Sequence, residues 1–507
     1  MQLEVNGSTV EVADMSATLL DVLRDVRPRL ASVKDGCAPQ GQCGCCTVLV
    51  DGEPRVACVT PARRVDGRAI TTLEGLPDEL RDAWSDAFTA CGASQCGFCT
   101  PGILVRLAAR VDGSTSLENA LAAHLCRCTG WQTIREAVVD VRSPSPRAPR
   151  DLDAASRRAT IEGRTPQHVG RDVALGCGGF AIDTVPDGAR YAVPDGDGGW
   201  VLGDSLAEAR RASGRIQGRR TTIAATAPLS LPPGEWTTTL RTSWVEPGYL
   251  EPDVAWCEPG GEPASSLANG GAFGAKQHSI VGDAARLLAA REARTVAVVL
   301  GREDTVRLGP KRPPMAIGLR ADGSGVVRVA RTAGIADAIR AVAPGLVVDE
   351  VDIAGPPTSA DIRGAGWVEV AVAIAAATGA TQITAANGAT ASSTVDLDAE
   401  DRGVIDVRVR CGAVLDEIVL RSYCIGAAHM AYSWVTSERL AVDATGAVHD
   451  LTIRSFGIVK AAETPRIAVT IEPDDGPPVN GSDAVFAAVA LAVWRAHGLL
   501  SEWPCGR

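Results

Sequence analysis

Gln95-Cys96-Gly97-Phe98-Cys99-Thr100-Pro101-Gly102 and, further on, Leu125-Cys126-Arg127-Cys128-Thr129-Gly130 decide how the N-terminal part of this 507-residue chain is read. The spacing is C-x2-C followed by C-x-C, across two helix–loop junctions. Four thiolates from two separated elements can close a binuclear iron–sulfur centre. A C-x-C pair is awkward for tetrahedral zinc, which favours paired C-x2-4-C knuckles. Cys91 is a fifth thiol nearby and reads as structural, with a ligand swap left open.

A second set lies upstream. Asp35-Gly36-Cys37-Ala38-Pro39-Gln40-Gly41-Gln42-Cys43-Gly44-Cys45-Cys46 and Cys58 give a C-x5-C-x2-C-x11-C pattern through Cys37, Cys43, Cys46 and Cys58. Three thiolates arrive on one glycine-punctuated loop and the fourth returns from a neighbouring strand. A [2Fe-2S] cluster needs that arrangement, and the plant-type spacing differs only by one residue in the first gap. Glycines 36, 41 and 44 let the backbone close around it. Cys45 competes with Cys46 for the third place. Cys46 keeps the C-x2-C step, and Cys45 reads as a small buried side chain.

The surrounding pattern supplies a scaffold for each set. Residues 2–12 alternate about Asn6-Gly7 as a hairpin. Residues 17–25 have helical apolar spacing. Thr47–Val50 reads as a strand that turns at Asp51-Gly52. From 78 to 141 the pattern is helical, with Pro101 in a first turn and Gly113 and Gly130 at connections. Residues 142–166, rich in Pro, Ser and Arg, read as a linker.

QCGFCTPG with LCRCTG, behind a plant-ferredoxin-like segment, resembles the iron–sulfur part of the xanthine oxidase and aldehyde oxidase family of molybdenum hydroxylases. The resemblance spans residues 1–141. It implies an α+β multidomain chain: a β-grasp [2Fe-2S] ferredoxin domain at 1–75, then a four-helix-bundle [2Fe-2S] domain at 76–141. It also implies that the helical-domain cluster lies nearest a molybdopterin and that Gln95 contacts the pterin. The family commonly has Asn where His124 stands.

Later islands resemble the family's molybdenum subunit. Gly270-Gly271-Ala272-Phe273-Gly274-Ala275-Lys276 is similar to its glycine-rich loop, making Gly271, Ala272, Phe273 and Gly274 candidate cofactor contacts. A phosphate-binding P-loop fails here, because Ala275 and Gln277 break its pattern. Arg302-Glu303-Asp304 resembles an Arg–Glu segment of the family, and Ile362-Arg363-Gly364 an arginine–glycine loop near its active site. Residues 167–507 are therefore expected to form a shortened α/β molybdopterin-binding-like domain. The family's catalytic glutamate position is taken by Ser482, with Asp483 one residue on. A general base typically contributes about 10²–10⁴-fold, so the catalytic residues stay unassigned.

Composition narrows the class. A formal charge of −11 argues against nucleic-acid and anionic-membrane partners. No signal peptide or membrane-length apolar run is visible, so a cytoplasmic, reducing setting is expected, where clustered cysteines serve as ligands. Two functions follow. One is a molybdopterin-dependent oxidoreductase that hydroxylates an aldehyde or N-heterocycle and sends electrons outward through both clusters. The other is a non-catalytic electron-transfer and assembly subunit whose degenerate molybdenum domain docks a separate catalytic subunit. No flavin domain is visible. The expected partners are an FAD subunit or soluble acceptor, a full-length molybdenum subunit and a small-molecule substrate.

Overall fold

The computed structural model describes residues 1–506 except 111–114, 145, 148, 215–222, 268 and 400–401. Gly113, read above as a connection, lies outside the described residues.

The first domain is a five-stranded sheet crossed by one helix. Strands β1 (Gln2–Val5) and β2 (Ser8–Glu11) pair antiparallel. Asn6 and Gly7 take φ of 50° and 79°, the left-handed values that a two-residue hairpin turn requires. With β3 (Thr47–Val50), β4 (Glu53–Val56) and β5 (Ala69–Thr71) the order is β2-β1-β5-β3-β4, β5 running parallel to β1. Helix α1 (Leu19–Asp25) starts at a capping box between Thr18 and Asp21 and buries Leu19, Leu20, Val22 and Leu23. Every residue of β3 is buried, which seats the cysteine loop before it.

Four helices follow: α2 (Asp78–Ala90), α3 (Thr100–Ala108), α4 (Leu117–Leu121) and α5 (Gln132–Arg142). Cys99 caps α3, and Pro101 sits in its first turn, where no amide bond is lost. The cysteines thus fall at helix ends and loops.

The stretch read as a linker is only half one. From Asp151 the chain forms α6 (Leu152–Gly163), whose N-cap Asp151 accepts from the amides of Asp153 and Ala154. The Pro-rich composition ends at Arg150, and beyond it small residues recur at helical spacing. Ala154, Ala155, Ala159, Arg158 and Glu162 are buried.

Among the described residues, the C-terminal part carries three four-stranded sheets. The first is built on Val296–Val299, the second on Met315–Leu319 and Gly325–Ala330, and the third on Thr390–Asp396 and Val404–Arg410. Two apolar helices, Glu417–Thr436 and Ser482–Ala496, are buried nearly throughout. Trp434 stacks on Phe486 with ring centroids 5.3 Å apart. The boundary between N- and C-terminal parts is not a seam. Phe180, Trp244, Leu250, Leu440, Ile453 and Phe456 belong to the same core as the ferredoxin strands and α2–α5. Among the described residues, no helix is long and apolar enough to cross a membrane.

Candidate iron–sulfur centres and the cavity beside them

Five thiols of the first set are brought together and buried: Cys37, Cys43, Cys45, Cys46 and Cys58 are 0–4 % exposed. The Cys37 Sγ accepts from the amides of Gln40 and Gln42 at 3.2 and 3.4 Å, and the Cys46 Sγ from the Cys58 amide at 3.4 Å. Amide donors aimed at sulfur favour the thiolate. Contacts with Cys43 and Cys58, together with these amides, hold the Cys37 thiol well below its usual range. The same contacts push Cys43 and Cys58 up. Gly36 has no room for a side chain: a Cβ there would lie 2.9 Å from the Cys45 Sγ and 3.1 Å from the Cys43 Sγ. Cys45 lies inside the group, against Cys43.

The second set pairs two by two. The Cys96 and Cys128 sulfurs are 3.6 Å apart, and Cys126 neighbours Cys99. Hydrogen bonding to Cys99 and to Thr129, whose Oγ1 is 3.1 Å away, brings Cys126 down to about 6 against its burial. Cys91 stands apart at the end of α2 among Asp140, Glu136, Arg147 and Arg421, and its burial pushes it up to about 11. Among the described residues no three His, Cys, Asp or Glu side chains converge as a single metal ion would require. Two pairs of thiols instead suit two irons, each completed by two sulfurs. A [2Fe-2S] cluster therefore fits the donor set at both places.

The two cysteine loops touch. The Leu125 amide donates to the Cys43 carbonyl at 3.0 Å. His124 wedges between them: its Nε2 lies 3.2 Å from both the Thr47 hydroxyl and the Gly102 carbonyl. Its ring would meet a Cβ on Gly44 at 2.5 Å, and Gly44 has φ of 74°. Burial pushes His124 down to about 4, so the wedge is uncharged near neutrality.

Arg127 stands between two thiols of the second set. Its guanidinium is held bidentately by Glu438 at 2.5 Å on both oxygens, and its Nε donates to the Pro247 carbonyl at 3.1 Å. Glu438 comes from the C-terminal part, and no motif singled it out.

The remaining sequence-selected residues surround one cavity. Gln95, Gly271, Phe273, Gly274 and Arg363 line it, joined by Glu162, Arg164, Tyr423 and Asp483. Ala272 does not line it, because its side chain turns into the C-terminal core. Gln95 Nε2 donates to the Cys128 carbonyl at 3.0 Å and to the Ser422 hydroxyl at 2.9 Å. A Cβ on Gly271 would lie 2.9 Å from the Cys96 Sγ. Arg363 stacks over Phe273, donates to the Ser482 hydroxyl at 3.2 Å and pairs with Asp483 at 3.1 Å. Asp483 also pairs with Arg164. Glu162, from α6, caps the last helix by accepting from the Gly481 and Ser482 amides at 3.1 and 2.9 Å. This carboxylate was missed because it lies in the supposed linker; its spacing of four from Arg158 was the available signal.

The cavity holds about 20 Å³, as does a second void on the far side of Phe273 and Arg363. That is room for about one water. A wider groove, about 590 Å³ between the third sheet and the last helix, holds none of the predicted residues. A pterin does not fit beside Gln95 with these side chains where they are.

Residues 72–139 match a family model described as a [2Fe-2S] binding domain. The nicotine 6-hydroxylase small subunit of Paenarthrobacter nicotinovorans is 42% identical over 146 residues, covering 28% of this chain and 87% of that protein. The nicotinate dehydrogenase small FeS subunit of Eubacterium barkeri is 37% identical over 145 residues, covering 27% and 91%. The chain belongs to the molybdenum hydroxylase family. As a member it is an oxidoreductase of the molybdopterin-dependent type, or a component of one, and moves electrons through iron–sulfur centres. In fold, it is similar to the aldehyde oxidoreductase of Desulfovibrio desulfuricans, with a TM-score of 0.70 at 14% identity over 100% of this chain and 99% of that one. That likeness extends to the C-terminal part and gives a mixed α/β multidomain architecture.

Proposed function

We propose that this chain is the electron-transfer member of a molybdenum hydroxylase, with its molybdenum-like part reduced to a scaffold. One cluster is held by Cys37, Cys43, Cys46 and Cys58, and the other by Cys96, Cys99, Cys126 and Cys128. When bound, such a cluster supplies one-electron transfer. The chain's own residues exclude water from both, direct amides at Cys37 and Cys46, and join the two loops through the Leu125–Cys43 hydrogen bond. Domain limits of 1–75, 76–141 and 167–507 follow the same reading, with α6 assigned to the C-terminal part.

The observation that favours the electron-transfer reading over catalysis within this chain is the cavity beside Gln95. Arg363, Asp483, Arg164 and Tyr423 occupy it, and Ser482 stands at the family's glutamate position, its hydroxyl accepting from Arg363. Substrate oxidation then belongs to a separate molybdenum subunit, acting on an aldehyde or N-heterocycle. A flavin subunit or soluble carrier takes the electrons away, in the cytoplasm. The relatives, named as small subunits, support this division of labour.

Metal analysis of the purified full-length chain tests it. About four irons per chain are expected, two for each cluster, with molybdenum and pterin far below one per chain in a host that makes the cofactor. Stoichiometric molybdenum would return catalysis to this chain and require the Arg363–Phe273 pair to move. Zinc in place of iron, with no visible absorption bleached by dithionite, would refute both readings.

A further inference from the structure

Arg302 was read as part of an island associated with the molybdenum subunit. In the fold it reaches the ferredoxin-domain cysteine loop. Its Nη2 donates to the Gly36 carbonyl at 2.8 Å and to the Leu250 carbonyl at 3.0 Å. Gly36 immediately precedes Cys37 and is the residue whose missing side chain leaves space for the Cys43 and Cys45 sulfurs. Arg302 is fully buried, and its Nε and Nη1 have no hydrogen-bond acceptor. Its face lies over the Tyr249 ring, 5.7 Å from the centroid.

The other buried cations differ. Lys34 faces Asp183, Arg127 faces Glu438, Arg158 faces Glu162, Arg312 faces Glu369, Arg363 faces Asp483, Lys276 faces Glu251 and Lys311 faces Glu246. Among the described residues no carboxylate lies within ion-pair distance of Arg302. A buried charge with no direct ion pair is costly, and Glu246 and Asp253 act on the same Tyr249 and Lys311 as Arg302 does without pairing with it, so the persistence of Arg302 beside a cluster loop calls for a role. Reduction of a [2Fe-2S] cluster adds one electron and no proton at the metal, so the reduced form gains one negative charge. A cation fixed nearby stabilises that form, and net charge and hydrogen bonding are levers on cluster potential.

We infer that Arg302 raises the reduction potential of the Cys37–Cys58 cluster, so that the C-terminal part draws electrons outward from the helical-domain cluster. The inference rests on the cluster assignment proposed above. A fixed unit charge near a cluster, in a medium of effective dielectric about 20, shifts a one-electron equilibrium by on the order of tenfold. Tenfold corresponds to about 59 mV for one electron.

The experiment is an EPR-monitored redox titration of the full-length holoprotein, wild type against Arg302→Gln and Arg302→Lys. Arg302→Gln should lower the ferredoxin-domain cluster's potential by about tenfold in its equilibrium constant and move the helical-domain cluster less. Arg302→Lys keeps the charge and should restore most of the shift. Unchanged potentials in Arg302→Gln would overturn the inference, and so would equal shifts in both variants, which would mark a merely structural contact. Should Arg302→Gln not accumulate with its clusters, Arg302→Met serves as the neutral variant: a tenfold fall there with Arg302→Lys near wild type supports the charge role, and an unchanged potential in Arg302→Met overturns it. A wild-type protein with no ferredoxin-type signal would instead refute the cluster assignment.

Discussion

Replacing Glu438 by Gln should be among the most damaging single changes available in the C-terminal part. The Arg127 and Glu438 side chains are 5 % and 1 % exposed, and two 2.5 Å contacts make the pair bidentate. Removing one partner strands a buried guanidinium, a loss of about 3–5 kcal/mol. Arg127 separates Cys126 from Cys128, so its displacement reaches the thiols directly. Urea unfolding of the holoprotein should show the loss, and EPR should show the helical-domain cluster depleted while the ferredoxin-domain cluster persists. The double variant Arg127→Met/Glu438→Met removes both charges and should recover to within about 1–2 kcal/mol of wild type, since apolar replacement of a buried pair is often neutral. Asp352→Asn provides the contrast: its partner Arg331 is 57 % exposed and Asp352 79 %, so solvent screening should leave the change close to neutral. A Glu438→Gln cost as small as that, with both clusters retained, would refute the reasoning.

Three further outcomes are expected. Gly271→Ala should halve the iron content, because its Cβ would press on Cys96, whereas Gly260→Ala, with a similar φ of 75° and no atom within 4 Å, should cost only backbone strain of about 1–3 kcal/mol; iron equal in the two would count against the Cys96 contact. Cys45→Ala should keep both clusters and Cys46→Ser should lose the ferredoxin one, and the reverse result would exchange their roles. Burial pushes Glu251 up to about 7 despite Lys276 at 2.9 Å; the unfolded chain titrates it near about 4.3, so the folded state holds the extra proton. That contribution is complete below about 4.3 and is lost as pH rises through 7, on the order of 3 kcal/mol. Urea midpoints should therefore favour Glu251→Gln increasingly from about pH 5 to about pH 8, and a constant difference would contradict the shift.

The N-terminal third was legible because ligand spacing is a local property. Both cysteine patterns, the Asn6-Gly7 turn and the Pro101 helix start are set by residues adjacent in sequence. Glu162 and Glu438 were not legible. Each acts on a partner far along the chain, Ser482 for one and Arg127 for the other, and neither sits in a motif. Arg302 stands in a recognisable segment, but its position is not legible: the segment packs against the Gly36 loop, a contact that depends on how the first C-terminal sheet meets the ferredoxin core. Arg363 and Phe273 were found, yet their stacking across the cavity depends on the Phe273 backbone taking φ of 53°, which nothing in the local sequence demands.

The burial of the cysteines bears on how such a protein is made. All eight assigned thiols are between 1 % and 8 % exposed, and Gly271, Ser422 and Gly426 of the C-terminal part close over the Cys96–Cys128 side. With that cover in place the sulfurs present little surface to solvent. Loading is therefore expected before closure, in the order in which the chain is synthesised: the ferredoxin loop, then the helical domain, then the last three hundred or so residues. On the proposed reading, a chain that closes empty is expected to take up iron poorly afterwards, which would make the C-terminal part a checkpoint in maturation.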